Sequence, residues 1–184
     1  MHCLQKLLIF CLVAIGYALA TVPALAQQEF DTTFAATYTV SNSGITTVTQ
    51  DIKLTNRLSN IYASEYSLTL GSTQIDRVTA TGSHGPVDTQ IISDHNSTTI
   101  KLKFTESDRV VGKGQTLAFT ITYQNLDVAS QNGRVLEVNI PQLANSQDIG
   151  NYSVTLLVPK IFDVPTLIST QPSFKDTTAT HRLL

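Results

Sequence analysis

The chain reads as an all-β protein, an antiparallel β-sandwich of immunoglobulin-like architecture preceded by a signal peptide. Three observations point there. Apolar residues recur at every second position in run after run. Threonine and valine, which suit a pleated surface, fill those runs. No stretch beyond the first 26 residues sustains the i, i+3, i+4, i+7 apolar spacing of an amphipathic helix.

The first 26 residues have the layout of an export signal. Lys6 is the basic start, Leu7 to Ala20 the apolar stretch, and Val22-Pro23-Ala24-Leu25-Ala26 a small-residue ending before Gln27. The apolar stretch is short of the roughly 20 residues that span a bilayer. Cleavage after Ala26 is expected, with no membrane span left behind; a retained anchor helix is the alternative. The β-domain is expected over 27–159, with 160–184 a linker or the start of a further domain. A secreted or extracytoplasmic, envelope-associated location follows. Both cysteines, Cys3 and Cys11, fall inside the leader. Beyond it there is no thiol for a disulfide, a zinc ligand or a nucleophile.

The strands follow in order. Phe34, Ala36, Tyr38 and Val40 alternate with Ala35, Thr37 and Thr39. Ser41-Asn42-Ser43-Gly44 is a turn sequence. Val48, Ile52 and Leu54 then share a face, completing a hairpin. A third run holds Tyr66, Leu68 and Leu70 and is allowed to begin as early as Tyr62. Ile75, Val78 and Ala80 precede the turn Gly82-Ser83-His84-Gly85-Pro86, and Thr89 to Ser93 is a short strand. After the turn residues Asp94-His95-Asn96 come Ile100, Leu102 and Phe104, alternating with Lys101 and Lys103.

Gly112-Lys113-Gly114 turns into Leu117, Phe119, Ile121 and Tyr123. Gln124 to Arg134 reads as a polar loop. Leu136, Val138 and Ile140 form a strand stopped by Pro141, and Tyr152, Val154, Leu156 and Val158 one closed by Pro159. One-sided alternation of this kind implies antiparallel sheets with one face on a core, and two such sheets stacked are the expected solution, with a barrel as the alternative. About twenty inward apolar side chains, at roughly 1.5–3 kcal/mol each, supply a core without disulfides.

Charge and motifs narrow the function. Lys and Arg number 12, Asp and Glu 14, and the net charge is −2, with no basic face for nucleic acid. His84, His95 and His181 form no metal-ligand spacing. Ser83-His84 is adjacent in sequence, but neighbouring side chains are expected to point apart, and no Gly-x-Ser-x-Gly elbow exists. Gly112-Lys113-Gly114 lacks the spacing and the hydroxyl residue of a phosphate loop. Glu106, Asp108, Asp127 and Asp148 do not form a calcium loop. Asn96-Ser97-Thr98 and Asn151-Tyr152-Ser153 match the short glycosylation pattern. Tyr38, Tyr66, Tyr123 and Tyr152 are read as inward-facing core. No catalytic, cofactor-binding or metal-binding residue is assigned, and no cofactor is expected.

Three stretches carry a resemblance: Tyr62-Ala63-Ser64-Glu65-Tyr66, Val110-Val111-Gly112-Lys113-Gly114, and Asn132-Gly133-Arg134-Val135-Leu136-Glu137-Val138-Asn139-Ile140-Pro141. Together they resemble the β-rich N-terminal region of exported bacterial transglutaminase-like proteins, over roughly residues 30 to 160. The resemblance implies a β-sandwich ahead of a papain-like core that uses Cys, His and Asp. The chain beyond its leader has no cysteine and ends where that core would begin, so no catalytic residue carries over. The expectation is a non-catalytic extracellular spacer or interaction module, the accessory domain of such a protein. The alternative is a carbohydrate- or adhesin-type binding domain. A cell-envelope protein or glycan is the expected partner. It would be met by the loops Gly82–Pro86, Gln124–Arg134 and Leu143–Gly150, or by an exposed sheet edge.

Overall fold

The computed structural model describes residues 28–141, 149–163, 165–169, 176–177 and 181–183. The signal sequence expected over 1–26, Asp148, and most of the Leu143–Gly150 loop lie outside the described residues. Thirteen strands occur among those described: β1 (Phe30–Val40), β2 (Thr46–Asn56), β3 (Glu65–Leu70), β4 (Ile75–Gly82), β5 (Gly85–Pro86), β6 (Asp88–Ser93), β7 (Thr98–Lys103), β8 (Thr116–Asn125), β9 (Ala129–Asn132), β10 (Val135–Val138), β11 (Ile149–Pro159), β12 (Asp176–Thr177) and β13 (His181–Leu183). Helix among them is confined to one 3-10 turn, Glu106–Asp108. None is long and apolar enough to cross a membrane.

The strands make an eight-stranded sheet in the order β12-β13-β11-β1-β2-β8-β4-β5, a three-stranded sheet β3-β7-β6, and the hairpin β9–β10. The fold class read from the sequence is what forms, a two-layer all-β sandwich. The inner face of the large sheet is built from cross-strand rungs. Phe34 lies beside Ile52 and Ile52 beside Phe119; Tyr38 lies beside Val48 and Val48 beside Tyr123. The small sheet supplies Leu68, Leu70, Ile100 and Leu102, all in the same buried cluster. Aromatic rings join the layers. Tyr66 and Phe104 each place a ring centroid 5.0 Å from that of Phe119, a separation that favours edge-to-face contact.

The first hairpin shows how local sequence sets register. β1 and β2 pair antiparallel along their full length, Phe30 opposite Asn56 and Val40 opposite Thr46. Between them Gly44 turns the chain at φ +84°, which a Cβ would strain. Its N–H donates to Ser41 O at 3.1 Å.

Several expectations are corrected. One pair in the large sheet, β1 with β11, is parallel. Period-two alternation reports that one face is buried; it carries no information on strand direction. The third strand starts at Glu65, and Tyr62 stays exposed outside it. Within 124–134, β8 runs on to Asn125, Val128 and Ala129 are buried, and β9 forms. Polar composition hid two small apolar residues that cap the core. Tyr152, read as inward, shares the inner face with Phe34 and stacks on it at 5.5 Å, yet is 48% exposed. β13 pairs with Leu157–Pro159, so no described strand covers the first half of β11 on that side. Finally, residues of the 160–184 segment, expected as linker or further domain, add β12 and β13 to the large sheet.

Candidate functional site

The chemistry-bearing side chains gather at one end of the sandwich, where the β4–β5 turn meets the 3-10 turn after β7. The sequence placed Ser83 and His84 apart; the fold brings them together. Ser83 Oγ lies 3.1 Å from His84 Nδ1, and the same nitrogen lies 3.2 Å from Asp108 Oδ1. Asp108 is buried, whereas the His84 side chain is more than half exposed. The other carboxylate oxygen of Asp108 accepts from Thr105 Oγ1 at 2.6 Å and from the Thr105 N–H at 3.0 Å. The Thr105 hydroxyl, then its backbone N–H, hold the Asp108 carboxyl below the usual carboxylate range against the effect of burial, with His84 adding to the shift.

This trio contains the residue types of a hydrolytic triad in a different arrangement. A relay needs the carboxylate on one ring nitrogen and the serine on the other. Here both address Nδ1. The geometry therefore ties a loop of the small sheet to a hairpin of the large one. Asp108 was weighed in the sequence only as a calcium ligand. Its signal was local: Thr105 three residues before it is the spacing of a side chain that closes a short helical turn.

A second set of contacts braces the same end. Buried Asn56, at the end of β2, donates from Nδ2 to Ile61 O at 3.0 Å and to Val110 O at 2.7 Å. Its backbone O accepts from the Gly114 N–H at 2.8 Å. Gly112-Lys113-Gly114 is thus a turn feeding β8, with both glycines at positive φ. Arg109 lies 4.7 Å above the ring of Tyr62. Asn125, at the end of β8, is buried at the opposite pole, its Oδ1 accepting from the Asp127 N–H at 2.8 Å. A lone polar residue in a strand carries no sequence signal of burial, so neither asparagine stands out in the sequence.

Of the other candidates, His95 and Asn96 sit exposed in the β6–β7 turn, Asn151 is exposed on β11, and His181 lies on β13. Asp127 accepts from Ser72 Oγ at 2.7 Å. Glu106 pairs with Arg109 at 3.3 Å. Among the described residues no three His, Cys, Asp or Glu side chains are placed to hold a metal ion. Tyr38 and Tyr123 are buried, and burial raises both phenols. Tyr66 is pushed up to about 12 by the same cause. At the other pole an open groove of about 590 Å³ runs between Thr39–Asn42, Thr47, Pro159–Ile161 and His181.

No protein-family model matches the chain, and no curated protein does. Solved structures do. Yeast LTA4 hydrolase in complex with bestatin superposes with a TM-score of 0.51 at 12% identity, over 89% of this chain and 28% of that one. An M1 zinc metallopeptidase from Deinococcus radiodurans gives a TM-score of 0.47 at 15% identity, over 88% of this chain and 39% of that one. The likeness to the yeast protein is one of fold. In both cases the chain spans well under half the length of the protein it resembles.

Proposed function

We propose that the chain is a non-catalytic β-sandwich that serves as the accessory domain of a larger, exported hydrolase. The observation that carries this reading is the extent of the fold likeness: nearly all of this chain matches little more than a quarter of the yeast enzyme. The site geometry is consistent with it, because Ser83, His84 and Asp108 are arranged to hold loops and leave no relay. Two kinds of catalytic neighbour are supported by different observations. The three sequence stretches favour a transglutaminase-like core. The fold likeness favours a hydrolase of the kind named in the yeast match. A glycan-binding role has less support, since Tyr38 and Tyr123 are buried and Arg109 covers one face of Tyr62.

The test is to read the coding sequence past Leu184 and to assay the purified chain. The expected frame runs on into a catalytic domain. A His-Glu-x-x-His helix there marks a metal-dependent hydrolase, and a Cys, His and Asp set the transglutaminase-like enzyme. The chain alone is expected to leave aminoacyl-anilide and peptide substrates intact. A stop codon directly after Leu184, or turnover by the chain alone, overturns the proposal. Secretion with a mature N-terminus at Gln27 is the outcome expected for export.

A further inference from the structure

The three-stranded sheet has two edges, and they differ. At β3 the core-facing Leu68 and Leu70 are buried, so the core is closed there. At β6 it is not. Ile91 lies opposite Ile100, which is fully buried, and cross-strand partners share a face. Ile91 therefore faces the interior side of the sheet, yet 49% of it is exposed. Ile92, opposite Thr99 on the other face, is 41% exposed. β6 pairs with β7 in unbroken register from Asp88 to Ser93, and no described strand is hydrogen-bonded to its other side, although β4 approaches it.

Sheet edges in folded proteins are usually blunted by lysine, proline, a bulge or brevity. The large sheet follows this rule. It ends in β5, two residues long with Pro86, and in β12, also two residues long. β6 has six residues, no lysine or arginine, no proline and no bulge. It combines an open ladder with an apolar position that a further strand would cover.

We propose that β6 is a strand-addition site for an extended peptide segment with an apolar side chain at its centre and basic residues at its ends. The charges select this occupant. The acidic groups on and next to β6 are Asp88 at its start, with Lys103 of β7 opposite it, and Asp94 just past its end, which has no lysine opposite it; both acids are exposed. A second copy pairing antiparallel about Ile91 would set Ile91 against Ile91 and Asp88 against Asp94, twice over. Like charges directly opposed disfavour that pairing. A segment carrying lysine or arginine at each end meets the same two carboxylates favourably. Main-chain hydrogen bonds would supply affinity, Ile91 the side-chain contact, and the two acids the register. The proposal does not depend on which catalytic domain accompanies the chain.

The full chain is titrated with a labelled peptide of alternating threonine and valine, about ten residues long and lysine-capped at both ends. Two control peptides replace the lysines by glutamate or the central residue by proline. The lysine peptide is expected to slow amide exchange in β6 and to bind at least about tenfold more tightly than either control, less so at high salt. Ile91→Lys, at a site already half exposed, is expected to abolish binding with an unchanged unfolding midpoint. Asp88→Asn is expected to weaken it only for the lysine-capped peptide. Equal binding of the proline peptide, protection outside β6, or undetectable binding overturns the proposal. So does a dimer of the free chain that Ile91→Lys dissolves, because the occupant is then a second copy.

Discussion

At the scale of single residues, buried polar groups set this sandwich apart from a purely apolar one. Gln50 sits on the inner face of β2 between Ala36 and Ile121, fully buried. Its Nε2 donates to Tyr123 Oη at 3.0 Å, while Oε1 finds no partner among the described residues. A buried polar atom without a partner costs more than a paired one contributes. Tyr123→Phe alone leaves the Gln50 Nε2 unpaired beside its unpartnered Oε1, and should destabilise by about 1–3 kcal/mol. Adding Gln50→Met removes both stranded groups, so the double variant should recover most of that loss, while Gln50→Met alone exchanges one stranded atom for another and should change stability less. Denaturant unfolding of the two single variants and the double closes the cycle; a simple sum of the single effects would show that the pair is not coupled. The sequence hid this pair because glutamine in a strand reads as outward, although its position has the parity of Val48 and Ile52.

At the scale of elements, the Asp108 contacts couple the 3-10 turn to the β4–β5 hairpin, and this coupling is pH-sensitive. The folded-state pKa of Asp108 is lowered. The unfolded carboxyl then binds protons more readily, so the contribution is full above the unfolded value near 3.9 and fades as pH falls through the folded one. Asp108→Asn should lower stability at neutral pH by about 1–3 kcal/mol. It should also flatten the loss of stability below about pH 4. Thermal unfolding from pH 7 down to pH 3 checks both. Parallel wild-type and variant curves would remove Asp108 as the cause. His84→Ala should cost less, because the histidine is half exposed and Thr105 keeps its two bonds to the carboxylate. Periodicity exposed the strands on both sides of this latch. It could not show that the loops between them meet, since 24 residues separate His84 from Asp108.

For the molecule as a whole, the core carries its phenols in a low-dielectric interior. Burial is the first cause of the raised pKa of Tyr38, Tyr66 and Tyr123. Their ionisation favours the unfolded chain, so stability should hold up to about pH 10 and fall as pH rises beyond it. Tyrosinate absorbance should appear together with loss of β-sheet circular dichroism. Ionisation of Tyr38, Tyr66 and Tyr123 without unfolding would contradict the packing described.

The alternating runs of this chain determined by themselves that it folds into strands, which side chains face inward, and where the first hairpin turns. Those are properties of neighbours two residues apart, and a strand's pleat writes them directly into the sequence. Tertiary structure alone decided that β1 lies parallel to β11, that Ser83, His84 and Asp108 converge, that Gln50 and Asn56 are buried, and that β6 is left open. Each depends on which strand lies beside which. Pairing joins residues far apart in the chain, and a period of two is the same whatever the partner or its direction.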